Sequence, residues 1–135
     1  MSEREVAARL KDLAEFRYQV RRFIGFSDAA SEAGGVSGQQ YQMLQVVGTA
    51  EARATISYIA DRMVLRHNSA VELVDRGVKA GLVRRGVDEA DHRRSVVEMT
   101  AKGREMLMKL AEEHLTELER VGPEIVRALN AVVGR

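Results

Sequence analysis

Val6, Leu10, Leu13, Val20 and Ile24 recur at helical spacing, with Arg17 interrupting the stripe. The pattern predicts one long amphipathic helix over residues 3 to about 31. The stretch "SEAGGVSGQQ" breaks it. Ser37-x-x-Gln40 has the form of a capping box, so a second helix is expected from there to about Val47. "GTAEARA" reads as a loop. Thr55 is placed to cap a third helix, Ile56 to about Val64, with Ile56, Ile59, Ala60 and Met63 facing inward. After a very short turn, Ala70, Leu73, Val74 and Val78 mark the apolar face of a fourth helix, about Arg66 to Lys79. Gly81 is its natural stop. The turn between these two helices lacks the glycine often found there.

Leu82 to Val87 and Ser95 to Met99 have strand character, and the seven residues between them make a long hairpin tip. Thr100 can cap a further helix, carried by Met106, Leu107, Leu110, Ala111, Leu115, Leu118 and Val121. Gly122-Pro123 should end it, and Glu124 to Val133 should form a last short helix with Pro123 near its first position. The expected fold class is mainly α with a small β-hairpin wing (α+β). It is a winged helix-turn-helix, residues 37–103, within a single domain of residues 1–135. Residues 3–33 and 104–135 supply flanking helices whose apolar stripes are too extensive for so small a monomer. Burial against a twofold mate is the expected solution, with Val6, Leu10, Leu13, Leu118, Ile125, Leu129 and Val132 as the seam. An intramolecular bundle is the other way to cover them.

Charge adds direction to this picture. The net charge of +1 gives no global pull toward nucleic acid, but its distribution is uneven. Arg53 to Arg104 holds 11 Lys/Arg against 7 Asp/Glu, whereas the rest holds 10 against 13. The basic middle is the part suited to an anion. The absence of cysteine excludes disulfides, thiolate catalysis and Cys-based zinc sites. No apolar run approaches the roughly 18 residues needed to span a bilayer. The N-terminus is amphipathic and acid-bearing, unlike a signal peptide, so a cytoplasmic protein is expected. His67, His92 and His114 lack metal-ligand spacing. "GGVSG" is not followed by the Lys-Ser/Thr of a phosphate loop. No enzyme, metal site or cofactor is expected.

The fourth helix is the candidate reader of DNA. Its first turn carries Arg66, His67, Asn68 and Ser69, residue types that bond base edges and phosphates, at the end that enters a major groove. Capping by Asn68 or Ser69 is the structural alternative. Glu72 opposes phosphate, unless it accepts from a cytosine amino group. Gly77 in mid-helix costs roughly 1 kcal/mol relative to alanine, which a close helix crossing would explain. At the hairpin tip, an arginine on a thin wing can enter the minor groove. Asp91, two residues before Arg93, can hold the guanidinium as a bidentate pair and pre-aim it. A solvated turn with incidental ion pairs is the bland alternative.

"DEADHRRSVVEMTAKG" resembles the wing signature of the MarR family of bacterial transcription regulators: an Asp-x-Arg pair, a strand, a Thr and a Lys-Gly. "ISYIADRMVLRHNSAVELVDRGVKAGLVRR" is similar to the family's helix-turn-helix leading into its first wing strand, and the resemblance covers nearly the whole chain. It implies a homodimer with interlocked terminal helices, bound to a palindromic operator of double-stranded DNA. It also implies response to a small, often aromatic or phenolic ligand. Asp91 and Arg93 match the Asp-x-Arg pair. Arg66 to Ser69, Val71 and Glu72 match the groove-facing part of the recognition helix, and Arg76 and Arg94 complete the candidate DNA contacts. Glu72 and Gly77 depart from the family's common choices.

Phe16, Arg17, Arg22 and Tyr41 are the candidate ligand contacts, the arginines for an anionic group and the aromatics for a ring. Plain core is the structural reading of each aromatic and the stronger of the two. The expected function is a ligand-responsive, sequence-specific repressor. The competing expectation is a winged-helix protein-interaction or small-molecule-binding module without specific DNA binding.

Overall fold

The computed structural model describes residues 1–134. Its elements run α1 (Glu3–Ala33), α2 (Gly38–Thr49), β1 (Ala54–Thr55), α3 (Ile56–Met63), α4 (His67–Lys79), β2 (Val83–Val87), β3 (Ser95–Met99) and α5 (Ala101–Val133). They form two compact units: residues 31–111, and residues 1–30 together with the chain from Glu112 onward.

The first unit is the winged helix-turn-helix. Ser37 caps α2 by accepting from Gln40 N at 3.1 Å, and Thr55 caps α3 by accepting from Tyr58 N at 3.1 Å. Only half of the expected capping box at Ser37 forms. The Gln40 side chain turns inward and its amide donates to the Leu73 carbonyl on α4 at 3.1 Å. A complete box closes instead at the start of α1, where Ser2 and Glu5 bond each other's backbone N–H. Between α3 and α4, Val64 takes the left-handed conformation (φ 55°) that glycine would have taken more cheaply, and its side chain is 90% exposed. Gly81 (φ 75°) ends the α4 turn, with Leu82 N donating back to the Gly77 carbonyl at 2.9 Å.

The core joins Tyr41, Met43 and Leu44 of α2, Ile56, Ile59 and Ala60 of α3, and Ala70, Leu73 and Val74 of α4. Ala54, Leu82, Val83, Val97, Leu107 and Leu110 complete it. Val78 is not on this face as the periodicity suggested: it is exposed, and Gly77 occupies the buried position. A Cβ at Gly77 would come within 2.7 Å of Met43 Cε and 3.0 Å of Gln40 Oε1, so α2 and α4 cross too closely there for a side chain. The sheet has three antiparallel strands in the order β1-β3-β2, not two. The loop read from "GTAEARA" contributes Ala54 and Thr55, paired with Val97 and Val96.

In the second unit α1 and α5 run antiparallel. Arg9 donates to the Val132 carbonyl, Arg22 approaches Glu124 at 3.9 Å, and His114 Nε2 meets Ser27 Oγ at 2.7 Å. The rings of Phe23 and Phe26 stand edge-on to His114. Gly122-Pro123 does not end the helix as expected: α5 is continuous through Pro123. The proline removes one ladder bond, to the Glu119 carbonyl, and that residue lies on the exposed side where solvent can serve it. Contacts to α1 lie on both sides of the interruption. Of the expected seam residues, Val6, Leu10, Leu13, Leu118 and Leu129 are exposed, and Ile125 and Val132 are partly buried.

Candidate nucleic-acid interface

Among the described residues no side chain caps the start of α4. Arg66 occupies the N-cap position without a capping hydrogen bond, and His67, Asn68 and Ser69 follow in the first turn, all exposed. The capping alternative for Asn68 and Ser69 therefore does not apply. The backbone N–H groups of this turn lack intrahelical partners, and the helix dipole there favours negative charge. Further along, Val71 is half-buried, and Glu72 and Arg76 are exposed.

The wing is built from short-range bonds. Val83 to Val87 pair with Met99 to Ser95 in register, and Asp88 N closes the tip onto the Arg94 carbonyl at 3.0 Å. Within the tip, Asp91 Oδ1 accepts from Arg93 Nε at 3.0 Å and Oδ2 from Arg93 Nη2 at 3.3 Å; the Arg93 backbone N–H adds a third bond at 3.1 Å. This is the bidentate fork anticipated from the two-residue spacing. Arg93 nevertheless keeps 90% of its side chain exposed, so its charge is aimed without being buried.

The Arg93 side chain, its backbone N–H and, to a smaller extent, Arg94 hold the Asp91 carboxyl below the usual carboxylate range. Since the folded pKa is depressed, the tie is fully present above the ordinary value of about 3.9. It is lost only as pH falls through the lower folded value. Asp91 should therefore titrate below about 3.9, read from its carboxyl carbon by NMR, and Arg93→Ala should move the midpoint up toward that value. A wild-type midpoint at or above the ordinary value would refute the orienting fork.

Helix α4 and the wing line one cleft. His67 and Val71 of α4 face it, with Arg85 from β2, Arg93 and Arg94 from the tip, and Ser57 from the first turn of α3. Three arginines, a histidine and the hydroxyl residues Thr55, Ser57 and Ser95 thus line one concave surface, a lining suited to phosphate. Arg85 and Ser57 were not singled out in the sequence. In β2, Arg84 and Arg85 alternate faces. Arg84 pairs across the sheet with Glu98 at 3.4 Å, while Arg85 pairs with Asp75 of α4 at 3.3 Å, tying wing to helix. Strand alternation was the available signal for Arg85; Ser57 had none beyond its place after a helix cap.

The ligand candidates are distributed differently. Phe16 and Arg17 line an apolar groove along α1 with Leu10, Leu13, Ala14 and Val20. Arg22 lines a separate small pocket with Gln19, Phe23 and Glu117. Tyr41 is 2% exposed in the helix-turn-helix core, and burial pushes its phenol pKa up. Among the described residues no group of histidines and acids has the form of a metal site. None of the helices described is long and apolar enough to cross a membrane.

Residues 34–94 match a family model described as MarR family. Among solved structures, the chain is similar to a MarR family protein from Bacillus stearothermophilus. The identity is 26%, covering 90% of this chain and 81% of that one, with a TM-score of 0.73. It is similar in fold to AbsC, a MarR family transcriptional regulator from Streptomyces coelicolor, at 22% identity, 96% and 89% coverage and a TM-score of 0.75. A MepR variant of Staphylococcus aureus, solved bound to an oligodeoxyribonucleotide, shares the fold at 18% identity, 87% and 94% coverage and a TM-score of 0.63. A search of curated proteins gave no match.

Proposed function

We propose that this chain, whose residues 34–94 match the MarR family of transcription regulators, is a sequence-specific repressor of that family. It binds a palindromic operator as a homodimer and releases it on binding a small ligand. The observation that carries the reading is the shared cleft, where the uncapped first turn of α4 and the pre-aimed Arg93 converge. Arg66, His67, Asn68, Ser69, Glu72 and Arg76 face the major groove, Val71 supports them, and Arg93 and Arg94 enter the adjacent minor groove beside Asp91. That a MepR variant of the same fold is bound to DNA supports this use of the fold.

The dimer is supported by the apolar side chains that the second unit leaves exposed, including Val6, Leu10, Leu13 and Leu118. The ligand is aromatic or phenolic, with Phe16 and Arg17 as its first candidate contacts. It acts by favouring a dimer geometry whose recognition helices no longer match successive major grooves. The working compartment is the cytoplasm.

The test is selection of binding sites from random duplexes, followed by affinity for the selected site across a salt series. A palindromic motif is expected, with affinity falling steeply as salt rises, because phosphate contacts release counterions. If selection enriches nothing, the DNA-reading proposal fails and the protein-interaction module takes its place.

A further inference from the structure

We propose that Glu72 determines specificity by selecting cytosine in the major groove. The inference rests on the DNA-reading function above and goes beyond it by naming a base and the residue that reads it. On α4, Ala70, Leu73, Val74 and Gly77 are buried, while Asn68, Glu72 and Arg76 form one exposed stripe at four-residue spacing. Several acids around this surface are answered by a cation. Asp75 pairs with Arg85 at 3.3 Å, Asp91 with Arg93 at 3.0 Å, and Glu98 with both Arg53 and Arg84. Among the described residues Glu72 has no such pair, although Arg76 lies one turn further on.

An unanswered carboxylate carried between two rows of phosphates weakens binding unless something donates to it. An ionised carboxylate can only accept hydrogen bonds. The base edges of the major groove offer two donors, the N4 amino group of cytosine and the N6 amino group of adenine. Adenine sets its N7 acceptor beside that amino group, so a carboxylate there meets a lone pair. Cytosine sets a C–H beside its amino group and presents no such repulsion. Glu72 therefore discriminates for cytosine by attraction and against adenine by repulsion. Asn68, one turn earlier on the same stripe, has the donor and acceptor that match the N6 and N7 of adenine.

The experiment compares site selection by wild type, Glu72→Gln and Glu72→Ala, then measures affinity for the wild-type site and for the site with one C·G pair replaced. Glu72 is exposed, so equal urea midpoints are expected for all three proteins. Wild type should enrich one cytosine per half-site, and replacing it should cost about tenfold in affinity. Glu72→Ala should lose preference at that position alone, and Glu72→Gln should shift it toward adenine. Suppose instead that the variants enrich the same bases with the same weights, or bind every sequence more tightly by one common factor. The acid is then a uniform repulsive charge, and the cytosine assignment is overturned while the DNA-reading function stands. Wild type enriching no motif overturns both together.

Discussion

Arg93→Ala is expected to weaken binding to the selected operator by about 10- to 100-fold. The fold and the dimer should be unchanged, because Arg93 is an exposed tip residue bonded only to Asp91 among the contacts described. The salt dependence should flatten by about one unit of slope for each arginine removed, hence about two for a dimer. Asp91→Asn separates charge from aim. It leaves the guanidinium in place and weakens the fork that orients it, so affinity should fall by a smaller factor with the salt slope retained. The measurement is fluorescence anisotropy with labelled operator across a salt series, with sedimentation as the control for assembly. Equal affinity and slope for wild type and Arg93→Ala would remove the wing from the interface.

Gly103→Ala is expected to lower stability by about 2–4 kcal/mol. Gly103 lies in the first turn of α5 and is buried. A Cβ there would land on the carbonyl oxygen of Leu82, well inside van der Waals contact, with Leu44 Cδ2 a further 3.3 Å neighbour. The obstacle is backbone, which has no rotamer to change. That carbonyl already accepts from Thr100 N at 3.0 Å, while Thr100 Oγ1 accepts from Gly103 N at 3.0 Å and donates to the Gly81 carbonyl. Lys102 Nζ adds a bond to the Ala80 carbonyl at 2.9 Å. The start of α5 is thus laced to the end of the recognition helix, and a methyl group would force the two apart. Urea unfolding should show a lower midpoint with little change in slope. A loss below about 0.5 kcal/mol, the range of a neutral surface change, would mean that this junction is looser than its geometry implies.

The same junction shows how the two levels of information divide. "MTAKG" was read as a helix cap, and Thr100 does cap α5. Why the last residue of that string must be glycine depends on Leu82, 21 positions earlier in the chain. Gly77 repeats the lesson. Its local cost in a helix was plain, but its compensation, close approach to Met43 and Gln40 of α2, belongs to the helix crossing. Val78 was placed inside by periodicity, and the observed face turns one residue earlier for the same reason. Pro123 was given its usual role as a stop. The helix instead runs on through it, with contacts of α5 to α1 at His114 before the proline and at Glu124 and Val132 after it.

The sequence by itself determined what neighbouring residues decide. Four of its five helices, the caps at Ser37, Thr55 and Thr100, and the Asp91–Arg93 fork depend on partners within a few positions of each other, and the two main strands pair across one hairpin, 8 to 16 positions apart. Only the tertiary structure decided what distant residues build together. Ala54 and Thr55 become a strand because β3 supplies their partners. Ser57, His67, Arg85 and Arg93 come to line one cleft because α3, α4 and the wing fold onto a common core. The physical reason is range: hydrogen bonds and periodicity act along a few residues of chain, whereas burial selects which distant surfaces meet.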